Sequence, residues 1–371
     1  MVPAANAPAA TSAMSLVIVE AKTPATVRPF NREICWHVSA SRVSLTILKI
    51  EAKEEFWPLK HPFRISRGSR TEAHVIAISV TEAEQTGRGE GAPIARYSQS
   101  AATVLAQIES VRTVCGLNRD ELQQLLPPGA ARNALDCALW DLEAKCSGKR
   151  FWELANIPIV DEVETSFTIS LDTPEQMAAA ASAAAKLPIL KLKLSGDDAD
   201  LARVKAVRTT AAKTRLLVDA NESWSPRHYQ NIVPALKELG VELIEQPFPA
   251  DAIHLLQTLD HPIPICADES CHTTGDLAGL KNRYEVINVK LDKTGGLTES
   301  LQLCQRAREN DFKLLIGCMV CTSLSIAPAR LLASTAEWVD LDGPLLLARD
   351  RDHGLHCQNA RIGIPSPELW G

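Results

Sequence analysis

The stretch Pro188-Ile189-Leu190-Lys191-Leu192-Lys193-Leu194 decides how the chain is organised. It is as long as one strand, and side chains alternate along a strand, so Lys191 and Lys193 would share one face and the leucines the other. Two ammonium groups on a buried strand are costly unless they have partners or a function. Taken alone, the stretch favours a half-exposed edge strand with solvated lysines. The rest of the chain reverses that preference.

The composition is that of a soluble globular protein. The chain has 371 residues, of which 46% are hydrophobic and 23% charged, so about two domains are expected. A net charge of −6 does not indicate nucleic acid or an anionic membrane as a partner, and no apolar run is long enough to span a membrane. Ten cysteines without a disulfide framework predict a reduced, cytoplasmic location. The CxxC at Cys318 and Cys321 has no second pair, which argues against zinc.

The N-terminal part predicts an extension followed by two strands. Residues 1–43 are rich in Ala, Pro and Thr and predict a disordered extension rather than a secretory signal. Strands are expected at Val43–Ile50 and His74–Val80, with a loop-like basic segment, Pro62–Arg70, between them. The glycines of Gly87–Gly91 lack the following helix and acidic residue of a dinucleotide site, so nucleotide binding is not expected.

The remaining sequence predicts helices and then a repeating alternation. Residues 99–157 predict helices, and Ala130–Leu142 carries small residues that permit close helix contact. From residue 164, strand and helix patterns alternate about every 25 residues, which indicates parallel strands joined by helical crossovers. Eight such units favour a closed β/α barrel. The eight predicted strands are Glu164–Ser170, Ile189–Leu194, Arg215–Ala220, Leu243–Pro247, Pro264–Ser270, Val286–Leu291, Lys313–Met319 and Trp338–Gly343.

Charged residues recur at the ends of these strands, where β/α barrels carry their active sites. Asp219, Glu245 and Asp268 follow one another on three consecutive strands, between the lysines of the second strand and Lys290 of the sixth. A single Asp there is often only a helix cap or turn former. Three converging carboxylates would raise one another's pKa unless a cation lies between them. Oxygen donors suit Mg²⁺, and the absence of a His and Cys cluster at these positions argues against zinc.

Lysines on both sides of such a metal would provide two bases. Each could act as a base if burial and neighbouring cations lowered its pKa from about 10.4 toward roughly 7–8. Mg²⁺ would acidify the α-proton of a bound carboxylate substrate by stabilising the enediolate. One lysine would remove the proton and the other would return one to the opposite face. The predicted chemistry is a 1,1-proton transfer, that is, racemisation or epimerisation.

The motifs together resemble the enolase superfamily in its muconate-lactonizing-enzyme-like subgroup, and most closely the bacterial L-Ala-D/L-Glu (dipeptide) epimerases. The resemblance covers roughly residues 46–350. It is carried by Lys191-Leu-Lys193, Asp219-Ala-Asn-Glu-Ser-Trp224, Glu245-Gln-Pro247, Cys266-Ala-Asp-Glu-Ser-Cys-His272, Asn288-Val-Lys-Leu-Asp-Lys-Thr-Gly-Gly296 and Asp340-Leu-Asp-Gly-Pro344.

The resemblance implies an α/β fold, a modified (β/α)7β barrel with an α+β capping domain. The implied boundaries are 44–160 for the N-terminal part of the capping domain, 161–345 for the barrel and 346–371 for a segment returning to the capping domain. It also implies roles for six strand-end residues. The Mg²⁺ ligands would be Asp219, Glu245 and Asp268, the acid/base pair Lys193 and Lys290, and the residue assisting near the substrate carboxylate Lys191. Lys293 would lie on the opposite face from Lys290 if the strand extends that far.

The resemblance further implies how a dipeptide substrate is recognised. Asp340 and Asp342 would bind its α-ammonium group, although Asp-Gly-Pro also fits a simple turn. Arg70 of the capping loop would bind the glutamate side chain, the alternative being a solvated arginine. Thr168 matches a substrate-contacting threonine. Leu324 stands where close relatives can carry a basic residue, which concerns fine specificity.

The implied function is epimerisation of L-Ala-D-Glu to L-Ala-L-Glu in murein peptide recycling in a bacterial cytoplasm. Epimerisation of another dipeptide, cycloisomerisation and o-succinylbenzoate synthesis are the alternatives on the same site. A non-catalytic protein on a borrowed fold is disfavoured because all the lysines and carboxylates are present. An NAD-dependent or phosphate-handling barrel enzyme is disfavoured because a glycine-rich loop is missing. The sequence does not indicate an oligomeric state.

Overall fold

The structure is a computed structural model, and it describes residues 47–371. The extension predicted over residues 1–43 and the start of the predicted strand Val43–Ile50 lie outside the described residues. Within residues 47–371, no helix is both long enough and apolar enough to cross a membrane.

The described chain forms two sheet systems with helices around them. Its strands are β1 (Lys49–Ile65), β2 (Gly68–Glu82), β3 (Gln85–Gly91), β4 (Val163–Glu164), β5 (Ser166–Ile169), β6 (Ile189–Lys193), β7 (Arg215–Asp219), β8 (Val241–Glu245), β9 (Ile265–Ala267), β10 (Val286–Val289), β11 (Lys313–Gly317), β12 (Trp338–Asp340), β13 (Cys357–Gln358) and β14 (Arg361–Ile362). Its α-helices are α1 (Ala101–Val111), α2 (Arg119–Leu125), α3 (Ala130–Ser147), α4 (Phe151–Ala155), α5 (Pro174–Ala183), α6 (Asp200–Thr210), α7 (Pro226–Glu238), α8 (Leu277–Leu280), α9 (Leu291–Thr294), α10 (Leu297–Glu309), α11 (Ser323–Ala333) and α12 (Gly343–Leu346). Short 3-10 helices span Ala95–Tyr97, Ile253–Thr258 and Thr274–Asp276.

Strands β1 to β3 form an antiparallel sheet with an unusually long first hairpin. The segment Pro62–Arg70, predicted as a loop, is instead the paired tip of this hairpin, with Phe63 opposite Arg70 and Ile65 opposite Gly68. The prediction was wrong because β1 is largely exposed, so charged residues replace the apolar alternation that marks a half-buried strand. A register shift between Pro58 and Phe63 lets the hairpin continue past its prolines.

The glycines of Gly87–Gly91 serve helix packing. They lie on β3 against the small residues of α3, as a close helix contact requires. A Cβ atom added to Gly87, Gly89 or Gly91 would lie 2.1, 2.0 or 2.2 Å from the backbone oxygen of an α3 alanine. Any side chain at these positions would therefore push the helix away from the sheet.

Strands β5 to β12 form the predicted barrel. The eight are hydrogen-bonded in chain order, each neighbouring pair parallel. The two ends of the sheet meet through side chains, because Ser166 Oγ lies 2.5 Å from Asp340 Oδ1 and Leu341 N donates to Thr165 Oγ1 at 2.7 Å. All eight predicted strands are present, and the predicted parallel β/α barrel is confirmed.

The stretch that carries Lys191 and Lys193 is an interior strand of this barrel. Every residue of β6, Ile189–Lys193, is buried. Ile189 packs with the innermost apolar layer of the barrel, whereas Leu190 and Leu192 pack on the outside against the helices. The half-exposed edge strand is therefore excluded, and Lys191 and Lys193 point into the barrel with Ile189.

The end of the chain returns to the N-terminal helices. Trp370 is fully buried, and its Nε1 donates to the backbone oxygen of Cys137 in α3 at 2.9 Å. Its ring lies 5.0 Å from the ring of Phe151 in α4, and Gly371 N donates to Asp141 Oδ1 at 2.6 Å. The tail thus packs onto the helices that support the β1–β3 sheet.

Candidate active site

The charged residues at the strand ends face one another inside the barrel mouth. Lys193 ends β6, Asp219 ends β7 and Glu245 ends β8, and these three are register neighbours. Asp268 directly follows β9, and Lys290 directly follows β10. Because β6 and β10 are the second and sixth strands of eight, Lys193 and Lys290 lie on opposite sides of the barrel. All of these side chains are buried.

Each of the three carboxylates contacts a lysine. Lys193 Nζ lies 2.5 Å from Asp219 Oδ2, and Lys290 Nζ lies 2.7 Å from Asp268 Oδ2. Lys191 Nζ lies 2.5 Å from Glu245 Oε2 and 3.3 Å from Asp219 Oδ2. The ammonium groups are therefore charge-paired, which allows them to be buried.

These contacts set the pKa values in directions that the sequence did not indicate. Burial would lower the pKa of Lys290, but the carboxylates of Asp268 and Glu245 outweigh it and raise the pKa above the usual lysine value. Burial would raise the pKa of Asp219, but Lys193 and Lys191 lower it to about 2. Burial raises the pKa of Glu245 to about 7, with Asp219 adding to the effect. The predicted mutual raising holds for Glu245 alone, because the nearby lysines reverse it for Asp219 and Asp268.

The donor set fits a hard divalent cation such as Mg²⁺. Asp219, Glu245 and Asp268 offer carboxylate oxygens from three adjacent strands. Oδ1 of Asp268 is buried and contacts the Lys293 ammonium group at 2.8 Å, and because a carboxylate oxygen has more than one lone pair it keeps acceptor capacity for a metal ion. In the described part of the chain, no three His, Cys, Asp or Glu side chains already converge as a coordination cluster. The lysine contacts account for that, because each draws a carboxylate toward itself.

A cavity of about 420 Å³ opens above these residues. The cavity is lined by the four residues predicted to bind substrate and by four of the predicted metal-binding and catalytic residues. The first group is Arg70, Thr168, Asp340 and Asp342, and the second is Lys191, Lys193, Asp268 and Lys290. Asp219 and Glu245 do not line it and are almost fully buried. The structure therefore brings all ten predicted site residues to one end of the barrel.

Asp340 and Asp342 differ in how many of their carboxylate oxygens already accept hydrogen bonds. Asp340 Oδ1 accepts from Ser166 Oγ at 2.5 Å, and Oδ2 accepts from Lys191 Nζ at 2.6 Å. Asp342 Oδ2 accepts from the backbone N–H of Thr168 at 2.7 Å. Burial and the charge of Asp340 raise the pKa of Asp342 to about 6. A cation bound beside Asp342 would stabilise its ionised carboxylate.

Arg70 and Arg67 occupy the hairpin tip but have different surroundings. Arg70 makes no hydrogen bond or ion pair with any described residue, and partial burial lowers its pKa without an offsetting carboxylate. Arg67 Nη1 donates to Asn221 O at 2.6 Å, and its Nη2 donates to Glu269 Oε1 at 2.6 Å. Arg67 thus fastens the hairpin to the barrel, while Arg70 is free for an anion. No role for Arg67 could be predicted from the sequence, since its partners are far away along the chain.

Two further residues near the site were misjudged or missed. Lys293, expected on the opposite face from Lys290, lies in the helical turn α9, and its Nζ is 2.8 Å from Asp268 Oδ1. The condition for that expectation is not met, because the strand ends at Val289. Tyr97, in the 3-10 helix after β3, lines the cavity and was not predicted. Leu324 is buried in the apolar core and does not line the cavity.

The chain matches two families along most of its described length. Residues 47–155 match the mandelate racemase / muconate lactonizing enzyme N-terminal domain, and residues 175–364 match the enolase C-terminal domain-like family. The L-Ala-D/L-Glu epimerase of Escherichia coli (strain K12) is 47% identical over 321 residues, 85% of this chain and 99% of that protein. An N-acetyl-D-glutamate racemase from a Pseudoalteromonas species is 43% identical over 80% of this chain and 95% of that protein.

Solved structures agree with this grouping. An enolase family member from Agrobacterium tumefaciens, homologous to dipeptide epimerases and holding sodium and L-Ala-L-Glu, has a TM-score of 0.85 and 47% identity. It is matched over 87% of this chain and 100% of that one. A dipeptide epimerase from Enterococcus faecalis V583, complexed with Mg and L-Leu-L-Tyr, has a TM-score of 0.80 and 28% identity over 85% of this chain and 96% of that one.

Proposed function

The chain belongs to the enolase superfamily, with the mandelate racemase / muconate lactonizing enzyme type of N-terminal domain, and on that premise we propose that it is a Mg²⁺-dependent dipeptide epimerase interconverting L-Ala-D-Glu and L-Ala-L-Glu. One observation carries the proposal. Two lysines face each other across three carboxylates, and the cavity above them is lined by acidic groups and by Arg70, which has no charged partner within residues 47–371.

The residues of this site divide into three tasks. Asp219, Glu245 and Asp268 would hold the metal ion, and the support for this is their placement as three buried carboxylates on adjacent strands. Bound Mg²⁺ would stabilise negative charge on the substrate carboxylate and, by engaging the carboxylates of Asp268 and Glu245, lower the raised pKa of Lys290. Lys191, in contact with both Glu245 and Asp340, would sit beside the substrate carboxylate.

Lys193 and Lys290 would carry the proton transfer. Because they lie on opposite sides of the barrel, a substrate α-carbon between them presents one face to each. The neutral lysine takes the α-proton from its side, and the other, protonated, lysine delivers a proton from the opposite side. The configuration at the α-carbon is inverted without any other change to the substrate.

Substrate recognition would rest on charge at the two ends of the dipeptide. The α-ammonium would lie at Asp342, which has an oxygen not used by Thr168, with Asp340 beside it. The glutamate side chain would pair with Arg70, since that guanidinium has no other partner among the described residues. An L-Ala-D-Glu substrate is consistent with a place in murein peptide recycling in a bacterial cytoplasm, as the family resemblance implies.

A second candidate is racemisation of an N-acylated glutamate. The observation favouring it is that Asp340 already pairs with Lys191 and Ser166. Asp342 is then the one carboxylate of the two left to bind a substrate ammonium group, which an N-acylated glutamate lacks. The 43% identity to the N-acetyl-D-glutamate racemase agrees with it.

Chiral chromatography of the glutamate unit distinguishes the candidates. The purified chain with Mg²⁺ is incubated separately with L-Ala-D-Glu and with N-acetyl-D-glutamate. The dipeptide should be interconverted at least tenfold faster in kcat/KM. Faster turnover of the N-acetylated substrate would reverse the order of the two candidates, and turnover of neither would contradict both.

A further inference from the structure

Lys293 is a buried lysine to which the proposed proton transfer gives no task. Its side chain is completely shielded from solvent. Nζ donates to the backbone oxygen of Asp268 at 2.5 Å and to that of Asn288 at 2.9 Å, and it lies 2.8 Å from Asp268 Oδ1. An ammonium group has three N–H donors, so these three contacts at the ends of β9 and β10 use all of them.

These contacts join two neighbouring strand ends. Asp268 O belongs to the segment just after β9, and Asn288 O belongs to β10, two residues before Lys290. Backbone oxygens cannot rotate away as a side chain can, so Lys293 is held by the frame of the barrel itself. Lys290, by contrast, contacts Asp268 only through its carboxylate.

Two lysines orient the Asp268 carboxylate through its two oxygens. Lys293 Nζ lies 2.8 Å from Oδ1, and Lys290 engages the other oxygen, Oδ2, at 2.7 Å. Because a carboxylate oxygen has more than one lone pair, Oδ1 keeps acceptor capacity for a metal ion beside Lys293.

We propose that Lys293 is a positioning residue of the metal site. By tying the ends of β9 and β10 together beside Asp268, it fixes the direction in which Oδ1 of Asp268 is presented to a divalent cation. This inference rests on the proposed function, because that function supplies the metal.

The sign of the effect separates positioning from simple charge balance. A cation next to a metal ligand repels the metal ion, so removing the charge of Lys293 alone would tighten Mg²⁺ binding. Losing a group that orients a metal ligand instead weakens binding, typically 10- to 100-fold. The two interpretations therefore predict opposite changes in one measured quantity.

The test measures Mg²⁺ affinity of the purified full chain by isothermal titration calorimetry. Lys293→Met keeps the side-chain length and removes the donors, and we expect its Kd for Mg²⁺ to rise about 10- to 100-fold. Lys145→Met is the matched control, because Lys145 also donates to a backbone oxygen, Thr86 O at 3.0 Å, and contacts a carboxylate, Asp141 Oδ2 at 2.8 Å, outside the cavity. Its Kd should stay within twofold of wild type, or the effect of Lys293→Met is not specific to the site and the proposal fails.

Unchanged or tighter Mg²⁺ binding by a folded Lys293→Met variant would overturn the positioning role. Far-UV circular dichroism and the thermal unfolding midpoint establish whether that variant is folded. If it is not, Lys293→Gln retains two amide donors for the two backbone oxygens but none for Oδ1 of Asp268, and the same weakening is expected because that oxygen is no longer oriented. A wild-type chain that does not bind Mg²⁺ would contradict the proposed function as a whole, which distinguishes that failure from the failure of Lys293 alone.

Discussion

Replacing Arg70 with leucine should remove selectivity for acidic dipeptides. The guanidinium lines the cavity without a partner among the described residues, so the substrate carboxylate would be its first counter-charge. A hydrogen bond to a charged group contributes about 1.5–3 kcal/mol, and because the partly buried side chain of Arg70 still reaches solvent, screening places the contribution near the lower end, about 1.5–2 kcal/mol. We therefore expect kcat/KM for L-Ala-D-Glu to fall about 10- to 30-fold.

The assay compares L-Ala-D-Glu with the isosteric but uncharged L-Ala-D-Gln. Arg70→Leu should change kcat/KM for the uncharged dipeptide by less than about threefold, because no ion pair is lost. Arg64→Leu is the matched control, since Arg64 lies on the same hairpin and pairs with Asp172 at 2.5 Å at an exposed position. Equal losses on both dipeptides in Arg70→Leu, or the same selective loss in Arg64→Leu, would refute the assignment of Arg70.

Three other outcomes are expected. Lys193→Ala and Lys290→Ala should each abolish epimerisation while retaining exchange of the α-proton from one epimer only, a different one in each, as followed by ¹H NMR in D₂O; full epimerase activity in either would refute the two-base assignment. Burial raises the pKa of Asp292 to about 7, so the folded chain binds more protons than the unfolded chain and stability falls as pH rises from about 4 to 7. Asp292→Asn should reduce that loss by on the order of 2–4 kcal/mol in urea unfolding, and an unchanged pH dependence would contradict it. Trp370→Ala should cost about 3–5 kcal/mol of unfolding free energy, because the ring is fully buried against Phe151, and a loss below about 1 kcal/mol would show that the tail is not an anchor.

The barrel and the gathering of its charges could be predicted because both follow from local patterns. Buried parallel strands are short apolar runs, and in a closed barrel a residue at the end of one run must face residues at the ends of the others. Asp219, Glu245 and Asp268 could therefore be placed together without knowledge of any distance. The functional roles of these residues stay predictions, for which the experiments above are designed.

What the sequence could not show depends on contacts between distant residues. The tip of the first hairpin was missed because its pairing partner, not its own pattern, makes it a strand. The position of Lys293 depended on whether the strand continued past Lys290. The sequence does not show that the chain enters the helix α9 directly after Lys290. The raised pKa of Lys290 could not be predicted because it depends on its 2.7 Å contact with the carboxylate of Asp268.

The contacts of Arg67 could not be predicted for the same reason. Its partners Asn221 and Glu269 lie 154 and 202 residues further along the chain. No spacing rule links such positions, so only the folded arrangement shows that the hairpin carrying Arg70 is fastened beside the metal-ligand segment.

Incorporation of deuterium tests the central claim most directly. The purified wild-type chain is incubated with L-Ala-D-Glu and Mg²⁺ in D₂O, and the glutamate unit is followed by NMR and mass spectrometry. We expect one deuterium at the glutamate α-carbon and equilibration of the two epimers, since the proton is removed on one side and replaced from solvent-exchanged lysine on the other. Absence of exchange at that carbon, with the chain folded and Mg²⁺ present, would contradict epimerisation of this dipeptide by the two lysines.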